Sequence, residues 1–106
     1  VLLTGDAQSE AEARMLSHGG ADLRADILKV GHHGSAYSST PAFLAAVRPK
    51  IAIISCGLHN VFGHPSPRTL AALRAVGPVV YRTDLDGGVS VVDDGTRLSA
   101  KSTIRR

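Results

Sequence analysis

Two adjacent histidines, His32 and His33, stand between glycines directly after a short apolar run that ends at Val30. Imidazole side chains are common metal ligands and exchange protons near neutral pH. The glycines on either side allow the chain to turn sharply and a ligand to approach the backbone closely. This segment therefore predicts a metal site or an acid–base site at the end of a strand.

Other residues able to do chemistry follow two further apolar runs. Asp6 comes after residues 1–4, in the sequence Thr-Gly-Asp, and His59 and His64 come after residues 51–55. In open α/β sheets, sites form in the crevice beyond the carboxyl ends of the strands. A carboxylate and several imidazoles at one such edge would suit metal binding or acid–base catalysis. Each residue alone has a plainer interpretation, because an aspartate after glycine commonly forms a turn.

The elements that must position these residues are marked by local signals. Ser9 is followed three residues later by Glu12, which predicts a helix that begins with a capping box. Thr40 and Ser66 are each followed by proline, which predicts two more helices with a capped first turn. Apolar runs predict strands at residues 1–4, 25–30, 51–55, 79–81, 89–92 and 97–100.

The order strand–helix, repeated three times and then followed by strands, predicts an α/β fold. We expect a mixed sheet with a mostly parallel core, an antiparallel edge and helices packed on it. With 106 residues, 43% of them hydrophobic, the chain is long enough for one domain with its own core. We expect that domain over residues 1–101, and a solvated, disordered basic tail over residues 102–106. An exposed first strand would also permit self-association.

Composition restricts the functional class only weakly. The net charge of +3 permits a polyanionic partner without requiring one. Cys56 is the only cysteine, so the chain forms no internal disulfide. No apolar run approaches the roughly 20 residues that a membrane-spanning helix needs.

Four segments, taken in order, resemble the C-terminal half of a metallo-β-lactamase-fold hydrolase domain. The chain is more similar still to the soluble domain at the end of ComEC-type DNA-internalisation competence proteins, over almost its whole length. The segments are residues 2–6 with Thr4-Gly5-Asp6, residues 25–35 with His32-His33-Gly34-Ser35, residues 39–44, and residues 60–67 with Gly63-His64-Pro65. Residues 81–87 match the expected ending.

The resemblance implies an αββα fold and a site for two divalent metal ions, zinc or manganese. Asp6 occupies the position of an aspartate that bridges the two ions. His32 and His33 both fit the position of a histidine that completes the second ion's shell, and His33 is favoured because related hydrolases tend to read His-x-Ser there. His32 and His64 would then be catalytic residues facing the substrate, which would be DNA or another phosphodiester.

The chain departs from this family at the remaining metal ligands. The His-x-His-x-Asp-His motif and a further histidine are absent, and both would belong upstream of Val1. The resemblance therefore implies that this chain carries half of a site, binds metal weakly or not at all, and is inactive without the upstream half of the same domain. It also implies a soluble domain of a bacterial membrane protein that contacts the membrane only through its parent, with the side of the membrane left open. The alternative is a non-catalytic α/β module that binds anions or nucleic acid.

Overall fold

The computed structural model describes residues 2–3, 5, 9–19, 23–34, 39–56 and 65–104. The elements, in chain order, are β1 (Leu2–Leu3), α1 (Ser9–Gly19), β2 (Ile27–Lys29), a 3-10 turn (Gly31–Gly34), α2 (Pro41–Val47), β3 (Ile51–Ile54), α3 (Pro67–Val76), β4 (Val79–Arg82), α4 (Thr83–Asp86), β5 (Val89–Asp93) and β6 (Leu98–Ser102). None of the helices in these ranges is long and apolar enough to cross a membrane.

Helices α2 and α3 begin where the capping signals predict. The hydroxyl oxygen of Thr40 accepts a hydrogen bond from the N–H of Phe43 at 3.3 Å, and that of Ser66 accepts one from Thr69 at 3.1 Å. Each cap satisfies a backbone donor that has no partner within its helix. Helix α3 ends at Gly77, whose φ of +91° is the left-handed conformation that glycine adopts readily.

Strands β1 to β4 form one sheet in the order β1-β2-β3-β4, and every pairing is parallel. Strands β5 and β6 pair antiparallel and form a separate two-stranded sheet. The predicted alternation of strands and helices is therefore confirmed, whereas the predicted antiparallel edge on the main sheet is wrong. The physical reason is the short helix α4 together with Gly87 at φ +71°, which turn the chain away before β5 begins.

The core lies on one face of the four-stranded sheet. Alternate strand residues, Leu28 and Ala52 among them, pack against α2 and α3, and Met15 and Leu16 of α1 join the edge of this cluster. Its fully enclosed members are Leu28, Val30, Phe43, Leu44, Val47, Ala52, Ile54 and Leu73. Residues of α1, α2 and α3 all join this cluster, so the three helices share one face, as the right-handed rule for connections between parallel strands predicts.

The ordered C-terminal segment extends past residue 101. Strand β6 continues to Ser102, the N–H of Thr103 donates to the carbonyl of Gly88 at 2.9 Å, and the N–H of Ile104 donates to the carbonyl of Asp86 at 2.9 Å. These bonds join residues 102–104 to the hairpin and to the end of α4, and the division into a domain over residues 1–101 and a disordered tail stays a prediction. Residues 105–106 lie outside the described ranges.

Candidate functional site

The parallel sheet brings the ends of β1, β2, β3 and β4 side by side at one edge, which we call the carboxyl edge. Asp6 follows β1, His32 and His33 follow β2, and His64 lies in the segment between β3 and α3. Asp6 and His64 lie outside the described residues, as do the side chains of His32 and His33. Their chemical roles therefore stay predictions. The structure shows how the backbone on either side of these residues is held in place.

The 3-10 turn that contains His32 and His33 is fixed against the residue that follows His64. Gly34 is buried at φ +81°, and a Cβ built there would lie 2.6 Å from the Cβ of Pro65. The N–H of Ser66 donates to the carbonyl of Gly34 at 2.8 Å. Glycine is thus required at this position for two reasons: the backbone has a left-handed conformation, and the proline ring leaves no space for a side chain.

Thr83 holds the other end of the segment that contains His64. Its hydroxyl accepts a hydrogen bond from the N–H of Cys56 at 2.9 Å and donates one to the carbonyl of Cys56 at 3.0 Å. The two residues that flank positions 57–64 are therefore both held at the carboxyl edge, Cys56 by the start of α4 and Pro65 by the turn after β2.

An ion pair lies beside that anchor, at the start of α4. Arg82 donates from Nε to Oδ1 of Asp84 at 3.1 Å and from Nη2 to Oδ2 at 2.7 Å, a two-pronged geometry that adds strength and direction. The Arg82 guanidinium lowers the pKa of Asp84. Burial, and then the hydrogen bond with Asp84, raise the pKa of the Cys56 thiol. Cys56 is therefore protonated at neutral pH and is a poor nucleophile.

Glu12 is the polar residue whose role the sequence did not indicate. Only 1% of it is exposed, and its two carboxylate oxygens accept hydrogen bonds from the N–H of Ser39 at 2.6 Å and of Thr40 at 2.8 Å. The prediction assigned Glu12 to a capping box at the start of its own helix. The structure instead shows that it fixes the chain just after residues 35–38, which follow the histidine pair. Its place among the inward positions of α1, near Met15 and Leu16, was the available signal.

The described residues do not by themselves form a metal centre. No three His, Cys, Asp or Glu side chains within those ranges lie close enough together to hold an ion. The predicted ligands Asp6 and His33 offer one carboxylate and one imidazole, both suitable donors for zinc or manganese. A zinc site normally has at least three protein ligands. Two donors therefore fit a metal site only as part of a larger set.

No known family model and no solved structure matches the chain. It is 38% identical to Competence protein ComA of Neisseria gonorrhoeae, over 84% of this chain and 13% of that protein. It is 40% identical to ComE operon protein 3 of Bacillus subtilis (strain 168), over 83% of this chain and 11% of that protein. It is 39% identical to Recombination protein 2 of Haemophilus influenzae, over 86% of this chain and 11% of that protein. The chain thus spans only 11–13% of the length of these curated relatives. Together they support its assignment to a competence-protein family, as the counterpart of one segment of the longer members.

Proposed function

We propose that this chain is the C-terminal part of a metal-dependent hydrolase domain of the metallo-β-lactamase type, which cleaves DNA or another phosphodiester during DNA uptake. The observation that carries the proposal is the adjacency at the carboxyl edge. The strands that precede Asp6 and the histidine pair are neighbours, and the turn containing that pair contacts the residue after His64. The similarity to competence proteins supports the biological setting.

In this proposal the four site residues divide into two roles. Asp6 and His33 are metal ligands, and His32 and His64 contact the substrate at the same edge. Divalent ions bound there would activate water and neutralise the charge of the phosphodiester. Because two ligands are too few, the remaining donors come from the upstream half of the domain. Any contact with a membrane is made by other segments of the parent protein.

The second face of the sheet supports the proposal of a missing half. In register, Leu3, Lys29, Ile53 and Tyr81 form a row across this face, opposite the side that packs against the helices. Leu3 is 73% exposed, and Ile53 and Tyr81 are half-buried. A second layer packed here would enclose the side chains of Leu3, Ile53 and Tyr81. Self-association would cover it in another way, and gel filtration of the 106-residue chain with and without Leu3→Lys distinguishes the two.

The test compares the 106-residue chain with the longer polypeptide that includes the upstream half. The longer protein should cleave a labelled DNA strand only with zinc or manganese, and Asp6→Ala or His33→Ala should abolish cleavage. Asp93→Ala and His18→Ala are matched controls, because both residues are exposed and neither directly follows β1, β2 or β3 in the chain. Cleavage by the isolated chain at the rate of the longer protein would refute the half-site. Salt-sensitive DNA binding with no metal-dependent turnover would support the non-catalytic module instead.

A further inference from the structure

The charges of this chain are unevenly distributed. Its nine acidic residues all lie before residue 27 or after residue 83. The stretch between these positions contains six basic residues, Lys29, Arg48, Lys50, Arg68, Arg74 and Arg82. This stretch includes α2, β3, α3 and β4. Apart from its histidines, this stretch of the sequence therefore carries positive charges only.

Four of these six cations form no ion pair with a carboxylate in the described part of the chain. Arg82 is held by Asp84, and Lys29 lies on the sheet. Arg48, Lys50, Arg68 and Arg74 are exposed, and no ion pair joins them to a carboxylate within the described ranges. Arg24 differs, since it forms an ion pair with Asp26 at 2.8 Å. Arg24, and to a smaller extent Lys50, lower the pKa of Asp26. The other exposed cations, Arg48, Arg68 and Arg74, are thus available to an external anion.

Arg48 and Arg74 line two open grooves that flank the last turns of α3. One groove, of about 330 Å³, is lined by Ala45, Arg48, Pro49, Ala75 and Val76. The other, also of about 330 Å³, is lined by Leu70, Arg74, Pro78, Val80 and Arg82. No aromatic side chain lines either groove, so neither offers a surface on which a base would stack.

Between its two arginines, the exposed surface of α3 carries small side chains. At 100° per residue, Arg68 and Arg74 lie at opposite margins of the exposed arc, and the exposed residues Ala71 and Ala75 lie between them. Methyl groups present little obstruction to a chain lying across the helix. We call Arg48, Arg68 and Arg74 the α3 basic face.

Helix dipoles account for only part of this arrangement. Arg74 lies in the last turn of α3, and Arg48 directly follows α2, where a cation is favoured by about 0.3–1 kcal/mol. Arg68 lies in the first turn of α3, where the same dipole opposes a cation. Neither α2 nor α3 has an acidic residue in its first turn to offset it. Local structure therefore gives no reason for the charge of Arg68.

We propose that the α3 basic face binds the phosphodiester backbone of a DNA strand. Arg68 lies two residues after Ser66, which is bonded to Gly34 at the carboxyl edge, so one end of this face is next to the candidate site. Arg68 and Arg74 are about 9 Å apart along the helix axis, or two to three nucleotide steps of a duplex strand. Binding through phosphates alone carries no base readout. Delivery of the strand to the site rests on the proposed function, whereas binding itself does not.

The test is fluorescence anisotropy with a labelled oligodeoxythymidine of about 20 nucleotides, on the entire natural polypeptide that contains this chain, in EDTA. The variant Arg48→Ala/Arg68→Ala/Arg74→Ala is compared with Arg14→Ala/Arg97→Ala/Lys101→Ala, which removes three exposed cations outside the face. The logarithm of the affinity for single-stranded DNA falls with the logarithm of the salt concentration, with a slope of about −0.7 per phosphate contact. Loss of three contacts should therefore make the slope of the first variant less negative by about 2. The control variant should keep the wild-type slope.

Two results would overturn the inference: an unchanged slope in the first variant, or an equal loss in both variants, which would mean that only net charge matters. Circular dichroism establishes that both variants fold. A separate measurement uses bis(p-nitrophenyl) phosphate with metal. The first variant should hydrolyse this small diester at the wild-type kcat and show a raised KM for DNA. If the wild type does not hydrolyse it at all, the proposed function fails, while the binding measured in EDTA still decides the inference.

Discussion

Replacement of Glu12 by alanine should destabilise the fold by about 3–5 kcal/mol, because two hydrogen bonds to a buried carboxylate are lost together. A hydrogen bond to a charged group contributes about 1.5–3 kcal/mol. Ser39, one of the two donors, is itself buried, so its N–H would be left without a partner. The expected loss is a large share of the roughly 5–15 kcal/mol by which a domain is stable.

Glutamine at the same position separates charge from shape. The amide of Glu12→Gln keeps one acceptor oxygen, but its NH2 group faces the second backbone donor, so we expect about half the loss. Glu10→Ala is the matched control, since Glu10 is an exposed carboxylate in the first turn of the same helix. It should cost no more than about 1 kcal/mol, the dipole contribution of a first-turn acid.

The assay is urea unfolding of the three variants, with the free energy extrapolated from a common slope. Amide hydrogen exchange adds a local readout, because the N–H groups of Ser39 and Thr40 should lose protection in Glu12→Ala before the rest of the domain does. If Glu12→Ala proved as stable as Glu10→Ala, the buried carboxylate would not be an anchor and the reasoning would fail.

Substitutions at Thr83, Gly34 and Asp84 test the other contacts at the carboxyl edge. Thr83→Val should cost about 1–3 kcal/mol in urea unfolding, since both hydrogen bonds of the hydroxyl are lost, and Thr83→Ser should restore most of it. Equal losses in both would mean that the hydrogen bonds between Thr83 and Cys56 do not stabilise the fold. Gly34→Ala should cost about 2–4 kcal/mol, because its Cβ would overlap the adjacent proline, whereas Gly77→Ala, at a similar φ in open space, should cost about 1. Matching values would exclude the steric contribution. Arg82 lowers the pKa of Asp84, so that carboxylate stabilises the fold above about pH 4 and loses its effect as the pH falls through its lower folded pKa. Asp84→Asn should therefore be less stable at pH 7 and lose less than the wild type between about pH 5 and pH 2; parallel curves in urea titrations would refute this.

The parts of the fold that could be predicted from sequence are those fixed by neighbouring residues. Thr40 and Ser66 cap their helices through a bond to the third residue along, and Gly77 ends α3 through its own backbone conformation. Each of these signals lies within one helical turn, so a single sequence is enough to read it. The alternation of strands and helices then determined the parallel order of the main sheet.

The parts that could not be predicted depend on residues far apart in the chain. Glu12 and Ser39 are 27 positions apart, as are Cys56 and Thr83. A carboxylate three residues after a serine has a local interpretation, the capping box, and its inward position on α1 does not say which distant residue it contacts. Helix α4 is a second case, because side chains fix its start: Arg82 and Asp84 form an ion pair there, and the buried carboxylate of Asp86 accepts the N–H of Arg82 at 2.7 Å.

The contacts that organise the carboxyl edge are made by residues without an assigned chemical role. Gly34 packs against Pro65 beside His33, Glu12 fixes the backbone that follows residues 35–38, and Thr83 fixes the backbone that precedes residues 57–64. An error of about 1 Å in the placement of reacting groups can cost about 100-fold in rate. For the proposed hydrolase, substitutions at these anchors should therefore reduce kcat even though the altered side chains do not touch the substrate. Thr83→Ser, which keeps both hydrogen bonds, should recover that loss, and Thr83→Val should not.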